Sequence, residues 1–503
     1  TLTQDRAEAR NNSCRGDGMH VLSLEVSTSS AKCILYSAVR GVLHSETAHY
    51  PEESSDGMTQ DAYGITEAAY QVLRKVASKA SELGVEVEGI GLCGTWHSLL
   101  LVDEGLKPVG RIRTWADLSG ADAAAAARAR GEAQGYYERT GCVLHGMYPC
   151  WKLAWLTSPG QQGLKGASYV MSQLEWLYMS LTGERAASTC LASGSGLMNA
   201  RTLGWDDMAV ASAGITKGML SPLKDLFHMG RLSRAAAGCC GLKAGLPVSV
   251  GGADGAMNQL AVGGSDAGVM SVSVGTSGAL RRLSPVPMIA KKPSTWCYNV
   301  SSKAWIAGAA VNNATNCLDW LIRSLGKSPG DVRAYEELDS AASSVDRESA
   351  PIFLPFIFGE RCPGWQENRR GGFYGISPKH GPGALYYSIQ EGILFNMLQC
   401  YRILESLAGE PGRIVISGGI TRSDSWVRMA ADILGMRLEA TGAANDSTVG
   451  AALVALAALE GRDGLGEVDA EPSAVYLPRH ENMGLFSSRY ERYLELYEAT
   501  SPR

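Results

Sequence analysis

VLSLEVSTSSAKCILYSA, residues 21–38, alternates branched apolar residues about a Ser/Thr cluster, which predicts two strands joined by a small, hydroxyl-rich turn. The plan returns in VMSVSVGTSGALRRL, residues 269–283, where apolar alternation again breaks at a small turn and resumes. The turn threonines, Thr28 and Thr276, lie 248 residues apart in a chain of 503. A strand-turn-strand unit at the head of each half predicts two homologous halves.

The intervening sequence alternates helical and strand patterns. Ile65, Ala69, Val72, Val76, Ala80 and Leu83 fall at helical spacing, and Gly84 stops them. Strand patterns follow in VEVEGIGLCG and SLLLVDE, and helical ones around 151–156 and in SQLEWLYMSLTGE. The second half runs from the long helix ALYYSIQEGILFNMLQCYRILESLAG through the strand RIVISGG, the helix SWVRMAADILG and the strand MRLEAT. DSTVGAALVALAALEG then reads as a buried helix with Asp446 as its N-cap, and Tyr490, Tyr493, Leu494 and Tyr497 mark a closing helix. The βαβα order predicts an α/β fold with parallel or mixed sheets and ligands at the carboxyl ends of strands.

The composition supports a core-forming chain. Hydrophobic residues make up 45%, and the 59 glycines exceed by some two dozen the roughly 35 expected at a frequency of about 7%. A net charge of −5 with well-mixed signs gives no footprint for nucleic acid or an anionic membrane. No apolar stretch approaches the roughly 20 residues a membrane helix needs. Residues 1–18 are polar, lack the apolar core of a secretory signal and are expected to be a disordered leader, and a cytoplasmic location is expected. Twelve cysteines without a CxxC pair are expected to be reduced and mostly buried, and eight histidines show no zinc-ligand spacing.

Three familiar signatures fail on chemistry. The GKS at 326–328 has Leu321 where a Walker A loop needs glycine. Gly89, Gly91 and Gly94 fit GxGxxG but lead into a strand, not into a helix whose N-terminus would hold a pyrophosphate. In GKSPG, Pro329 follows the serine and has no N–H for an oxyanion hole. What remains is a glycine-dense region, eight glycines over 251–278, with Asp254 in its midst as either a turn-former or a base beside a ligand. The SVGTSGA turn directs backbone N–H groups and hydroxyls into one concavity suited to phosphate oxygens.

Six ordered segments over about residues 20–460 resemble the FGGY carbohydrate kinases. These are LEVSTSSAK and SVGTSGA as the two phosphate loops, TWHS (95–98) at the sugar-contacting motif and GGADGA with the catalytic aspartate. LPFIFGERCPGWQENRRGGFYGI stands at the Gly-Glu-Arg-x-Pro-x-Trp segment, and ISGGITRSDSWVRMAADILG at the adenosine signature. TWAD (114–117), RTGCVLHGMYP (139–149) and VNN (311–313) are most similar to the gluconate kinase branch. The resemblance implies two ribonuclease-H-like (actin/hexokinase-type) domains with mixed sheets flanked by helices and the active site in the cleft between them. Residues 19–264 would form the N-terminal domain, with sugar site, first phosphate loop and catalytic aspartate. Residues 265–503 would form the C-terminal domain, with the second phosphate loop and the adenosine site.

The resemblance further implies ATP and Mg2+ as cosubstrate and metal, and a sugar or sugar acid as the small-molecule partner, with a homodimer left open. Asp254 would be the base. Thr95, Trp96, His97, Trp115, Asp117, His145 and Met147 would bind substrate, although His145 has a second reading as a local turn cap. Thr28, Ser29, Lys32, Gly275, Thr276, Ser277, Thr315, Gly418, Gly419 and Ser423 would border ATP, and Glu25 would organise the metal. Glu25 and Ser27 stand where the family has aspartate and glycine, and Ala314 and Thr315 where the branch has Gly-Gly, so Ser27 is expected to narrow the phosphate approach. The function implied is phosphorylation of D-gluconate, against phosphorylation of xylulose or another ketose or polyol. A reading from another class is a sugar- or nucleotide-binding regulator with impaired catalysis.

Overall fold

A computed structural model describes residues 18–161, 163–441, 447–466, 468 and 472–501. The leader assigned to 1–18 lies, apart from Gly18, outside the described residues, as does the N-cap assigned to Asp446. Strands β1 (His20–Val26), β2 (Ser30–Ser37) and β3 (Gly41–His49) form an antiparallel meander from the opening stretch. Helix α1 (Ala62–Glu82) follows, opened by Asp61, whose carboxylate accepts from the Gly64 N–H at 2.6 Å, and closed ahead of Gly84 at φ 68°. Strand β4 (Gly89–Gly94) returns parallel to β1. Helices α2 (Pro149–Leu156) and α3 (Gln173–Thr182) come next, then β5 (Met229–Arg231), β6 (Pro247–Ser249) and β7 (Gly252–Ala253). The sheet runs in the order β5, β6, β4, β1, β2, β3, with β7 also on β4. Helix α4 (Asp254–Gly263) starts at the end of β7.

The second half repeats this order. Strands β8 (Val269–Val274) and β9 (Gly278–Ser284) are the returning hairpin; β10 (Trp296–Ser301) and β11 (Ala304–Val311) continue the antiparallel side. After α5 (Thr315–Ser324), α6 (Val332–Ser343) and α7 (Pro382–Ala408), strand β12 (Arg413–Ser417) lies parallel to β8, as β4 lies to β1. Then come α8 (Asp424–Leu434), β13 (Leu438–Ala440), α9 (Ser447–Leu459), β14 (Ala474–Tyr476) and α10 (His480–Ala499). The order β10, β11, β9, β8, β12, β13, β14 has the same antiparallel and parallel flanks about β8 that the first sheet has about β1. Thr28 and Thr276 therefore occupy matching hairpin turns.

Strand β1 is buried on both faces, and its period of two assigns each face a partner. Leu22, Leu24 and Val26 enter the main core with Val72 and Val76 of α1. Val21 packs on Ala452, Ala455 and Leu456 of α9, and the Ser23 hydroxyl donates to the Thr448 carbonyl at 2.6 Å. Thus α9, placed late in the chain, completes the first sheet rather than the second. It also packs along α4. Two glycines make the approach possible. A Cβ on Gly91 of β4 would stand 2.4 Å from the Ala451 carbonyl oxygen, and one on Gly450 would stand 1.9 Å from that of Met257 in α4. The Gly89, Gly91, Gly94 series is therefore a strand cleared for a helix.

Eleven cysteines described are unpaired, and all but Cys239 are buried. Among the described residues no helix is long and apolar enough to cross a membrane.

Gly450→Ala is expected to destabilise the protein by about 1–3 kcal/mol through overpacking against helix backbone. Gly484→Ala in α10, where a Cβ meets nothing within 4 Å, should leave the melting temperature unchanged or slightly raised. Thermal unfolding of the two variants checks the contrast.

Candidate active site

The two hydroxyl turns face a cavity of about 680 Å³. Thr28 lines it from the first half, and Thr276 and Ser277 from the second. Thr95, Trp96, His97, Trp115, Met147 and Asp254 line it as well, so nine of the expected site residues meet at one opening. Asp254 is the first residue of α4, and its Oδ1 accepts from the Gly255 N–H at 2.7 Å. Burial holds this carboxyl above the ordinary aspartate range, against the Gly255 N–H and the nearby Arg281 charge.

The TWHS segment is fixed from several sides. Thr95 donates its hydroxyl to Gln173 Oε1 at 3.1 Å, and Trp96 donates Nε1 to the Cys190 carbonyl at 2.9 Å. His97 takes φ 67°, and its Nδ1 lies 2.6 Å from the Gly194 carbonyl oxygen. Burial, with the Arg361 and Lys152 charges, pushes the imidazole down to about 3. The ring is therefore neutral near pH 7, donates from Nδ1, and keeps Nε2 as an acceptor. Lys152 on α2 donates Nζ to the His97 and Thr114 carbonyls at 2.8 and 2.5 Å, tying the TWHS and TWAD segments together. Its burial brings it down to about 7. Trp115, 44% exposed, donates Nε1 to Thr28 Oγ1 at 3.1 Å. The exposed Phe358 lines the cavity from the other half.

Two expected substrate residues do not line the cavity. Asp117 is buried, paired with Arg113 at 2.8 Å, and accepts from the Ser119 N–H. His145 Nδ1 accepts from the Met147 N–H at 3.2 Å, the turn-cap geometry, which leaves Nε2–H to donate to Glu367 Oε1 at 2.9 Å. Both brace segments whose neighbours, Trp115 and Met147, do reach the cavity.

The first turn differs from expectation. The Ser27 side chain is folded into its own turn rather than across the phosphate approach: Oγ accepts from the Ser29 and Ser30 N–H groups at 3.3 and 3.1 Å and donates to the Ser30 carbonyl. Two amides that would otherwise meet an anion are thereby engaged. Ser29 is exposed, and Lys32 pairs across from Glu25 on the face covered by α9 rather than on the cavity wall. Glu25 accepts from the Ser447 hydroxyl at 2.7 Å.

The second turn is held by the start of α5, where the Thr315 N–H donates to the Gly275 carbonyl at 2.9 Å. Thr315, Gly419 and Ser423 line a separate cavity of about 460 Å³ with Tyr335 and Tyr386. Gly418, at φ 94°, turns the chain where a Cβ would meet the Val274 carbonyl at 2.6 Å. Ser423 donates its hydroxyl to Asp339 at 2.6 Å while accepting the Trp426 N–H.

For a metal, Asp254 after β7 is the carboxylate on the cavity wall, whereas Glu25, the residue expected to organise the metal, faces α9 and does not line the cavity. Magnesium keeps most of its water and needs only one or two carboxylates beside phosphate oxygens, so the donor chemistry fits. Among the described residues no group of three or more His, Cys, Asp or Glu forms a protein-built metal cage.

Arg281, Arg361, Trp296 and Tyr298 also line the main cavity, and none was singled out from sequence as a site residue. Trp296 and Tyr298 stack with centroids 4.5 Å apart, and Trp96 meets Tyr298 edge-on at 5.0 Å. The arrangement can hold a polyhydroxylated molecule between aromatic and polar walls, beside a half-buried carboxylate and two hydroxyl turns.

Residues 20–261 match the FGGY family of carbohydrate kinases, N-terminal domain, and residues 270–459 the C-terminal domain of the same family. A gluconokinase of Bacillus subtilis (strain 168) is 28% identical over 95% of this chain and 94% of its own length. A xylulose kinase of Escherichia coli (strain K12) is 25% identical over 82% and 86%. In fold, the chain is similar to the gluconate kinase of Lactobacillus acidophilus, with TM-score 0.88, 24% identity and coverage of 96% and 98%. The matching halves, the cavity between their hydroxyl turns and these family matches lead to one conclusion: the chain belongs to the FGGY family of carbohydrate kinases.

Proposed function

We propose that the protein transfers the γ-phosphoryl group of ATP to a hydroxyl of D-gluconate. The observation that carries the chemistry is the position of Asp254, a half-buried carboxylate in the wall shared by the Thr28 and Thr276 turns. Gluconate as acceptor is supported by the gluconokinase relatives. Xylulose kinases among the relatives give the competing acceptor, a ketose.

The substrate lies along His97, Trp115 and Tyr298, with one hydroxyl at Asp254. His97 Nε2 accepts from a sugar hydroxyl, because its other nitrogen is committed to Gly194. As the separate hydroxyl at Asp254 attacks γ-phosphorus, its proton passes to an Asp254 carboxylate oxygen, the new O–P bond forms, the bond from γ-phosphorus to the bridging β–γ oxygen breaks and ADP leaves. A positioned base of this kind contributes typically about 10²- to 10⁴-fold. Thr28, Thr276 and Ser277 donate to phosphate oxygens, and Gly418, Gly419 and Ser423 border the adenosine. Asp254 would hold magnesium together with phosphate oxygens and water, and the ion would supply screening of phosphate charge. Closure of the halves excludes water from the transfer.

Coupled ADP-release assays with gluconate, xylulose and glycerol check the acceptor. Turnover confined to xylulose would transfer the assignment to the ketose, and ligand binding without turnover of any acceptor would favour a regulator. Asp254→Asn is expected to abolish turnover while raising the melting temperature. A carboxyl whose folded pKa is raised binds protons that the unfolded chain has released, so ionising it costs stability as pH rises through that window, and the amide escapes the cost. Wild-type activity should fall with acidification at a pH above the ordinary aspartate value of about 3.9. Ser27→Gly, which frees the Ser29 and Ser30 amides, is expected to lower the KM for ATP several-fold with little change in the KM for the sugar.

A further inference from the structure

Arg281 stands on β9, three residues beyond the second turn's final glycine, and Arg361 follows Glu360 in the loop after β11 and the helices that succeed it. Both line the main cavity, whose lining otherwise carries one carboxylate, Asp254. The Nε atoms of both guanidinium groups are buried and, among the described residues, have no hydrogen-bond partner. Their other contacts are weak. Arg281 Nη1 reaches Ser273 Oγ at 3.3 Å, and Arg361 Nη2 has only the thioether of Met147 at 3.5 Å. Neither forms an ion pair among the described residues. The two charges also feel each other: burial first, then the Arg361 charge, lowers Arg281, with Asp254 opposing.

A protein that keeps two guanidinium groups in one cavity with open donor positions leaves a net cationic wall, and a planar carboxylate matches the guanidinium fork in charge and geometry. The two arginines differ in place. A Cβ on Gly255 would lie 3.0 Å from Arg281 Nε, so Arg281 borders the reacting end beside Asp254. Arg361 lies at Met147 and against the Trp365 ring, 5.8 Å from its centroid. Building on the gluconate reading, we propose that Arg361, with Arg281 adding positive charge from the side of Asp254, forms an anion subsite that receives the carboxylate of a sugar acid, and that it sets the preference for an aldonate over a neutral polyol of the same length.

The test uses the full chain without nucleotide. D-gluconate and D-glucitol, which differ at C1 as carboxylate against hydroxymethyl, are titrated calorimetrically into wild type, Arg281→Met, Arg361→Met and the corresponding lysine variants. ADP binding, whose adenosine cavity is lined by other residues, reports that each variant is folded. Arg361→Met is expected to lose gluconate affinity by about tenfold or more and Arg281→Met by less, with lysine restoring part of each loss and glucitol binding little changed. In turnover the loss should fall on the KM for gluconate. Unchanged gluconate affinity in both methionine variants overturns the inference. So does an equal loss for gluconate and glucitol, or a loss confined to kcat, which would assign the arginines to the transferred phosphoryl group. If wild type phosphorylates gluconate and either result is found, the gluconate reading survives alone. If wild type binds another sugar acid in an arginine-dependent way but does not phosphorylate gluconate, the inference survives and the gluconate reading falls. A wild type that turns over a ketose and binds no sugar acid overturns both.

Discussion

The contact on which the molecule depends is the one between α9 and the pair β4 and α4, closed to backbone distance at Gly91 and Gly450. It joins the end of the second half to the middle of the first. Strand β1 is buried on both faces, and α9 is the element that covers the second, packing on Val21 and bonding Ser23 and Glu25. The helix it presses on, α4, begins with Asp254. The position of this half-buried carboxylate is thus set by close packing some distance away, and any movement of the second half that displaced α9 would be felt at Asp254, the proposed base. Interiors at close-packed density transmit such displacements rather than absorb them.

The charges of the site are arranged against burial rather than by neutralisation. Asp254 is held above its ordinary range, His97 is held neutral, and Arg281 is lowered, each chiefly by removal from water. Elsewhere buried charges are paired conventionally: Glu360 with Arg369 and the Tyr497 hydroxyl, Glu391 with Arg489. The contrast separates two uses of a buried charge. The paired groups fasten α10 and α7 around the second sheet, whereas the cavity groups keep open valences that cost stability in the free protein and are available to ligands.

Much of this was legible in the sequence because its signals are local. The alternation of 21–38 and 269–283 specified the matching hairpins, the helical spacing from Ile65 to Leu83 and the stop at Gly84 marked α1, and the glycine-dense stretch located Asp254. Sequence failed where side-chain direction depends on distant register. Arg281 reaches the cavity because alternation along β9 aims it there, and nothing in GALRRL distinguishes it from Arg282, which instead bonds the Ala267 and Gly409 carbonyls. Tyr298 and Trp296 project from a strand with no recognisable motif. Glu25 and Lys32 fall within a legible turn motif, but their alternation assigns them to the α9 face. Asp117 and His145 lie in segments that reach the site, yet each is turned away into a bond with a neighbour. The role of Gly91 depends on a helix more than 350 residues later, which no local pattern reports.

Thr28 and Trp115 belong to segments nearly ninety residues apart, and the indole N–H donated to Oγ1 joins them across the cavity mouth, leaving the threonine's own hydrogen free to be given elsewhere. The indole belongs to a segment that Lys152 ties to His97, on the wall proposed for the acceptor, while Thr28 belongs to the turn proposed for phosphate. The two proposed subsites are thus stitched together by one indole-to-hydroxyl bond before either reactant arrives.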